Sequence, residues 1–124
     1  MDRRVLIFTE DACVQIVDSM EAAVVECEGI DVASQACWFF DTDGWPLVPV
    51  FDDPKFGKRF LGFELGDPAK YHLVRGDERH PMFVDPLWVS LLEAVSLEPN
   101  PYYKDLDALK EDLRFRGVQV DRPE

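Results

Sequence analysis

The N-terminal part of the chain has a short apolar run followed by a longer periodic stretch. Residues 5–8 are apolar and partly β-branched, which predicts a strand. The polar residues after it suit a helix N-terminus, with Thr9 or Asp11 as the cap. Within residues 13–27, apolar side chains recur at spacings of 4, 3, 4 and 3, the period of one helix face. This predicts a strand and then one helix, unless Ser19 caps a second helix and divides the stretch.

The middle of the chain has the pattern of a β-hairpin. Residues 36–40 and 45–51 are rich in aromatic and β-branched side chains, and the Asp/Gly segment 41–44 between them is typical of a turn. Pro46 and Pro49 cannot donate hydrogen bonds to a neighbouring strand. We therefore expect the second strand to lie at a sheet edge or to be short.

Two further segments are strand candidates. Residues 58–65 follow a polar connection, and residues 70–75 partly alternate between polar and apolar side chains. A Gly-Asp-Pro turn at positions 66–68 separates them. With the hairpin, they predict an antiparallel meander of three or four strands.

The C-terminal third predicts two helices. Asp85 suits an N-cap, Pro86 suits the first helical position, and Pro99 ends this helix. A second helix begins at residues 104–106 and ends at Gly117. The apolar faces of the two helices consist of Leu87, Leu91, Ala94 and Val95, and of Leu106, Leu109 and Leu113.

The order of these elements predicts an α+β fold: an N-terminal strand and helix, an antiparallel meander, and two C-terminal helices. The 124 residues fit a single domain spanning positions 1–124. The longest apolar run, residues 36–40, is much shorter than the roughly 20 residues that cross a bilayer. The apolar run at residues 5–8 is also too short for a secretory signal, so we expect a cytoplasmic protein.

Charge is the strongest global feature of the sequence. The chain carries 25 acidic and 13 basic side chains, a net charge of −12. Such a chain repels phosphate backbones and anionic lipid, which disfavours nucleic acid and membrane as direct ligands. It is suited to a basic protein partner, although solubility alone would also account for the charge.

No motif in the sequence identifies a catalytic, metal or cofactor site. The thiols Cys13, Cys27 and Cys37 have no metal-ligand spacing, and they fit free thiols in a reducing compartment. His72 and His80 are the only histidines, too few for a zinc site without a cysteine cluster. The Asp-Thr-Asp-Gly turn resembles part of a calcium loop, but the acid that closes such a loop is missing. We therefore predict no catalytic residue, no metal and no cofactor.

An interaction surface has more support than a catalytic site. Aromatic side chains lie on or beside the predicted hairpin, and acidic residues bracket them, as in many protein-binding patches. Trp38 faces the core if the strand alternates, whereas Trp45 lies either in an interface or over the sheet edge. The predicted partner-binding residues are Asp41, Asp43, Trp45, Asp52, Asp53 and Glu64.

Residues 19–23, 29–32 and 40–47 together resemble a pattern found in small acidic immunity proteins of bacterial polymorphic and contact-dependent toxin systems. The pattern is a helix, an Ile-Asp-Val segment, a strand and an Asp-x-Asp-Gly turn. The resemblance implies a cytosolic inhibitor that binds one toxin tightly, without indicating which toxin. Together with the net charge of −12, it predicts a basic toxin domain, such as a nuclease, whose active cleft the acidic surface covers. It assigns no functional residue, because such proteins bind toxins through different surfaces.

Two alternatives from other functional classes remain open. One is a small enzyme that uses Cys37 or a loop carboxylate together with His72 or His80. The other is a general adaptor subunit, which would present a large apolar patch. The oligomeric state is left open.

Overall fold

The computed structural model describes residues 3–56, 58–61, 63–64, 66–76 and 85–123, with only the backbone at Arg59, Phe60 and Glu64. Its strands are β1 (Val5–Thr9), β2 (Cys13–Val17), β3 (Cys37–Asp41), β4 (Pro46–Phe51), β5 (Arg59–Phe60), β6 (Phe63–Glu64), β7 (Tyr71–Arg75) and β8 (Ser96–Leu97). Its helices are α1 (Met20–Glu26), α2 (Gly29–Ala33), α3 (Leu87–Glu93) and α4 (Leu106–Phe115). The α+β class predicted from the sequence is confirmed.

Six strands form one sheet in the order β7-β4-β3-β1-β2-β8, and β5 pairs with β6 in a separate ribbon. All pairings in the large sheet are antiparallel except that of β2 with β8. The strands β3, β4 and β7 form the predicted meander. The first strand, β1, lies inside the sheet, and its first four residues are all buried.

Helices cover both faces of the sheet, so the protein has two hydrophobic cores. Side chains of β1 alternate between them, with Leu6 and Phe8 on one face and Val5 and Ile7 on the other. The α4 core lies on the first face and includes Phe40, Leu87, Leu91, Leu109 and Leu113. The α1 core lies on the second face and includes Ala23, Cys27, Val32, Phe39, Tyr71 and Leu73.

The single helix predicted over residues 13–27 is wrong in its first half, which forms β2. Burial alternates along β2, with Val14 and Ile16 inside, and Thr9 and Asp11 flank a strand-to-strand connection instead of capping a helix. Over only five residues, the spacing of apolar side chains does not distinguish a strand from a helix. The alternative with Ser19 as the cap is confirmed, because its hydroxyl accepts a hydrogen bond of 3.1 Å from the amide of Ala22.

Gly29 is the first residue of α2, although a glycine after the predicted helix would favour a helix end there. Its backbone touches the loop before β7: a Cβ at this position would lie 1.7 Å from the carbonyl oxygen of Pro68. Gly29 therefore allows α2 to approach this loop at a distance that no side chain permits.

The predicted hairpin is confirmed as β3 and β4, but β4 lies inside the sheet and not at its edge. Pro46 is the first residue of β4, where its missing N–H costs little. The amide of Asp52 donates to the carbonyl of Lys70, just before β7, and the amide of Asp41 donates to the carbonyl of Trp45. The backbone N–H and C=O groups of the odd-numbered residues of β4 therefore point toward β3, and those of the even-numbered residues point toward β7. The pairing with β3 stops at Leu47, which leaves no ladder bond for Pro49 to break.

Other element boundaries also differ from expectation. Residues 58–65 contain two short strands around Leu61, which has a φ of +52°, instead of one strand. Asp85 does not cap α3, because Pro86 occupies the cap position and no side chain accepts a bond there. The helix α3 ends at Glu93, before Pro99, and β8 follows it.

The last helix matches its prediction closely. The Asp105 carboxylate caps α4 by accepting from the amide of Ala108 at 2.8 Å. Leu109 and Leu113 are fully buried. Gly117, at φ +84°, ends the helix, and the amide of Val118 returns to the carbonyl of Leu113 at 2.9 Å.

Candidate partner-binding surface

Three of the predicted binding residues lie at the β3–β4 turn, where Asp41 organises the backbone. Its Oδ1 accepts hydrogen bonds from the amides of Asp43 at 2.9 Å and Trp45 at 3.0 Å. Its Oδ2 accepts from Nε of Arg75 at 3.0 Å, and Asp43 binds the same guanidinium at 3.0 Å. Asp41 therefore stabilises the turn and is not free to meet a partner, whereas Trp45 is 49% exposed.

We expect Asp41→Ala to lower the free energy of unfolding by about 2 kcal/mol, because it removes acceptors from two backbone amides and one guanidinium. Asp43→Ala is the matched control, since it removes one exposed ion pair and costs about 0–1 kcal/mol. Urea unfolding of both variants measures the difference. Equal losses would contradict the structural role of Asp41.

The remaining predicted residues lie away from the turn. Asp52 and Asp53 follow the last residue of β4, a strand that spans roughly 20 Å. The Asp53 carboxylate accepts from the amides of Lys55 and Asp67, both at 2.9 Å, and these bonds hold its pKa below the usual range. Asp52 lies 3.5 Å from Nδ1 of His72. Glu64 belongs to β6, with its side chain outside the described part of the structure.

The predicted residues thus do not form one patch, but the distribution of charge along the chain indicates another. Residues 5–54 contain eleven acids and not one lysine or arginine. In contrast, residues 104–124 contain five bases and six acids. Counting charge by segment would have revealed this asymmetry from the sequence alone. The eleven acids are Glu10, Asp11, Asp18, Glu21, Glu26, Glu28, Asp31, Asp41, Asp43, Asp52 and Asp53.

The acidic segment includes the helical layer that covers the α1 core. Two large aliphatic side chains of this layer are exposed, Val25 at 85% and Ile30 at 63%. Four acids on the same two helices and their junction are exposed as well. We call this surface the α1–α2 face; its residues are Glu21, Val25, Glu26, Glu28, Ile30 and Asp31.

The layer on the opposite side of the sheet has a different character. There, Arg114 pairs with Asp121 at 2.9 Å, and Arg116 pairs with Asp112 at 3.0 Å. At these two positions basic side chains of this layer are paired with acids, whereas residues 20–33, which form α1, α2 and their junction, carry four exposed acids and no lysine or arginine.

A groove runs beside α1. Its first part, of about 410 Å³, is lined by Met20, Glu21, Val24, Tyr71, His72 and Leu73. A wider cleft of about 580 Å³ shares Met20 and Glu21 and extends to the β3–β4 turn. Asp41, Asp43 and Arg75 line this cleft, so the turn and the α1–α2 face border one continuous depression.

The proposed dyad of Cys37 with His72 is not assembled. Cys37 packs against the α1 core, as do Tyr71 and Leu73. Since side chains alternate along a strand, His72 points to the other face of the sheet. The strand β4 also separates β3 from β7, a lateral distance of about 10 Å. The second histidine candidate, His80, lies outside the described residues.

The thiols of Cys27 and Cys37 lie together in the α1 core, as small core side chains do. Burial and, to a lesser extent, the neighbouring Cys37 thiol raise the pKa of Cys27 to about 12. Burial likewise raises the pKa of Cys37. Cys13, the third thiol, is on β2 and donates to a carboxylate oxygen of Glu98 at 3.4 Å. At neutral pH both core thiols are therefore protonated and poor nucleophiles.

In the native protein we expect iodoacetamide to modify Cys13 first and Cys27 last, because only the thiolate reacts and Cys27 is the one buried cysteine. The rate at Cys27 should rise with pH across the whole range from 7 to 10, because its pKa lies above that range. Peptide mass mapping after timed labelling measures each site, with urea-unfolded protein as the control for equal reactivity. Native Cys27 reacting as fast as Cys13 would contradict this.

Trp38 is partly buried and packs against the α4 core, on the face that the strand alternation predicted. Its indole stacks on Phe8, and its Nε1 donates to the hydroxyl of Ser90 at 2.9 Å. Within the described ranges, no three His, Cys, Asp or Glu side chains converge as a metal site would require. No helix in the described part of the chain has both the length and the apolarity needed to span a bilayer.

Comparison with protein-family models, with curated proteins and with solved structures finds no significant match to this chain. The surface described above therefore has to be interpreted from its own chemistry.

Proposed function

We propose that this protein is a cytoplasmic inhibitor that binds a basic protein through the α1–α2 face. The immunity-protein resemblance implies the same activity, with a toxin domain as the partner. One observation carries the proposal. The α1–α2 layer belongs to a segment with eleven acids and no lysine or arginine, and the acids of this layer lie on the same two helices and junction as the exposed Val25 and Ile30.

The composition of this face suits tight binding of a cationic surface. Exposed aliphatic side chains supply apolar area that a partner can cover, and Val25 and Ile30 provide it here. The surrounding carboxylates attract lysine and arginine side chains and accelerate association. The cleft of a nuclease is such a surface, since its lysine and arginine side chains bind the phosphates of the substrate. Carboxylates that occupy this cleft would exclude the substrate.

The product of a neighbouring gene is the natural probe for this function. In the experiment, a secreted toxin domain encoded beside this gene is expressed in cells with and without the protein, and growth is measured. Binding of the two purified proteins is then measured by calorimetry. We expect restored growth and a complex whose affinity falls as salt rises, because the contacts are ionic. Binding that is insensitive to salt, or growth that is not restored by any neighbouring product, would contradict the proposal.

A further inference from the structure

The strand β7 forms one edge of the six-stranded sheet, and its outward backbone groups can be identified. The amide of Asp52 donates to the carbonyl of Lys70, and the amide of Gly76 donates to that of Pro46, both at 2.9 Å. Pairs with and without hydrogen bonds alternate in an antiparallel ladder. The backbone N–H and C=O groups of the even-numbered residues of β7 therefore point toward β4, and those of Tyr71, Leu73 and Arg75 point outward.

Among the described residues, no strand pairs with this outer edge of β7. The same three residues turn their side chains toward the α1 layer, because Tyr71 and Leu73 belong to the α1 core and Arg75 shares their parity. Within the described ranges, the groove beside α1 thus follows an edge whose backbone groups have no strand partner. A helix next to an open edge strand is a recurrent arrangement for binding an extended peptide.

From this arrangement we infer that an extended, lysine- or arginine-containing segment of the basic partner adds to the outer edge of β7, in the groove beside α1. The inference rests on the proposed function for the partner's charge. Of the described residues that line the 410 Å³ part, none is lysine or arginine. Met20 and Val24 can pack on the aliphatic stem of a basic side chain, and Glu21 can pair with its charge.

The wider part of the groove is not acidic. Its lining includes three arginines, Arg3, Arg4 and Arg75, and three acids, Glu21, Asp41 and Asp43, so their formal charges cancel. The basic side chain is therefore placed in the narrower part, beside Glu21. A second copy of this chain is a poor occupant, because each copy carries a net charge of −12 and would repel the other.

The test uses the intact protein and a synthetic six-residue peptide of alternating lysine and valine. Amide exchange measured by NMR should slow at Tyr71, Leu73 and Arg75 when the peptide binds, with little change at His72 and Val74, which already face β4. Two control peptides should fail to protect these amides: one with glutamate replacing lysine, and one N-methylated at alternate residues, which cannot pair along its edge. Glu21→Lys should weaken binding of the lysine peptide.

A backbone-directed variant separates strand addition from charge alone. Arg75→Pro removes one outward N–H, and Arg75→Gln removes the same side-chain charge but keeps that N–H. We expect Arg75→Pro to bind the lysine peptide about fivefold more weakly than Arg75→Gln, the effect of one backbone hydrogen bond.

Three results would overturn the inference. They are equal binding of the N-methylated peptide, protection of the three amides in the free protein, and no binding at millimolar peptide. None of them touches the proposed function, which fails separately if the neighbouring toxin domain is neither bound nor neutralised.

Discussion

Gly29→Ala is expected to lower the free energy of unfolding by about 1–3 kcal/mol, the usual cost of inserting a methyl group where there is no room. The added Cβ would lie 1.7 Å from the Pro68 carbonyl oxygen and 2.7 Å from its carbonyl carbon. Backbone cannot rotate away as a side chain can, so α2 or the loop before β7 must move. A loss of stability would be informative, because replacing glycine by alanine within a helix normally raises the free energy of unfolding by about 0.5–1 kcal/mol.

Gly117→Ala provides the matched control for this variant. Its Cβ would meet nothing within 4 Å, but the residue has φ +84°, where a side chain costs about 1–2 kcal/mol. Urea unfolding gives both free energies, and NMR shifts locate the disturbance. We expect changes near residues 67–71 only for Gly29→Ala. A variant at position 29 as stable as the parent protein would show that α2 does not pack against this loop as described.

The second large effect concerns association with the basic partner. Reversing Glu26 and Asp31 to lysine should slow association by about tenfold or more at low salt, because both carboxylates belong to the α1–α2 face. The matched control reverses Glu93 and Glu111, two exposed acids on the α3 and α4 helices, and changes the net charge equally. Stopped-flow kinetics at about 0.01 M and 1 M salt, where the Debye length is roughly 30 Å and 3 Å, measures the effect.

A third double variant compares the α1–α2 face with the surface predicted from the hairpin. Asp52→Lys combined with Asp53→Lys has the same change in charge, at the far end of β4. We expect slower association than in the control only if this end also touches the partner. Equal rates for all three double variants would mean that net charge alone governs binding, which contradicts a localised face.

The sequence predicted the parts of the fold whose signals are local. The Asp-Gly turn between β3 and β4, the Asp105 cap and the Gly117 stop each depend on a few adjacent residues, and all three are present in the structure. The strand β2 was missed because five residues are too few to distinguish a period of two from one of 3.6. The inner position of β4 depends on pairing with β7, which no local pattern encodes.

The candidate site shows the same division between local and distant information. The local sequence predicted that Asp41 and Asp43 lie in a turn. Their ion pairs with Arg75 could not be predicted in this way, because they connect residues more than thirty positions apart. The absence of bases from residues 5–54 was readable too. Assigning four of the acids in that segment to one layer required knowing that α1 and α2 cover one face of the sheet while α3 and α4 cover the other.

The placement of β1 makes the two layers thermodynamically inseparable. Leu6 and Phe8 anchor one core while Val5 and Ile7 anchor the other, so neither half can melt without removing a shared strand from its neighbour. Any molecule captured by one layer therefore raises the melting temperature of the entire domain. A thermal-shift screen thus detects a molecule that binds the folded protein on either face of the sheet.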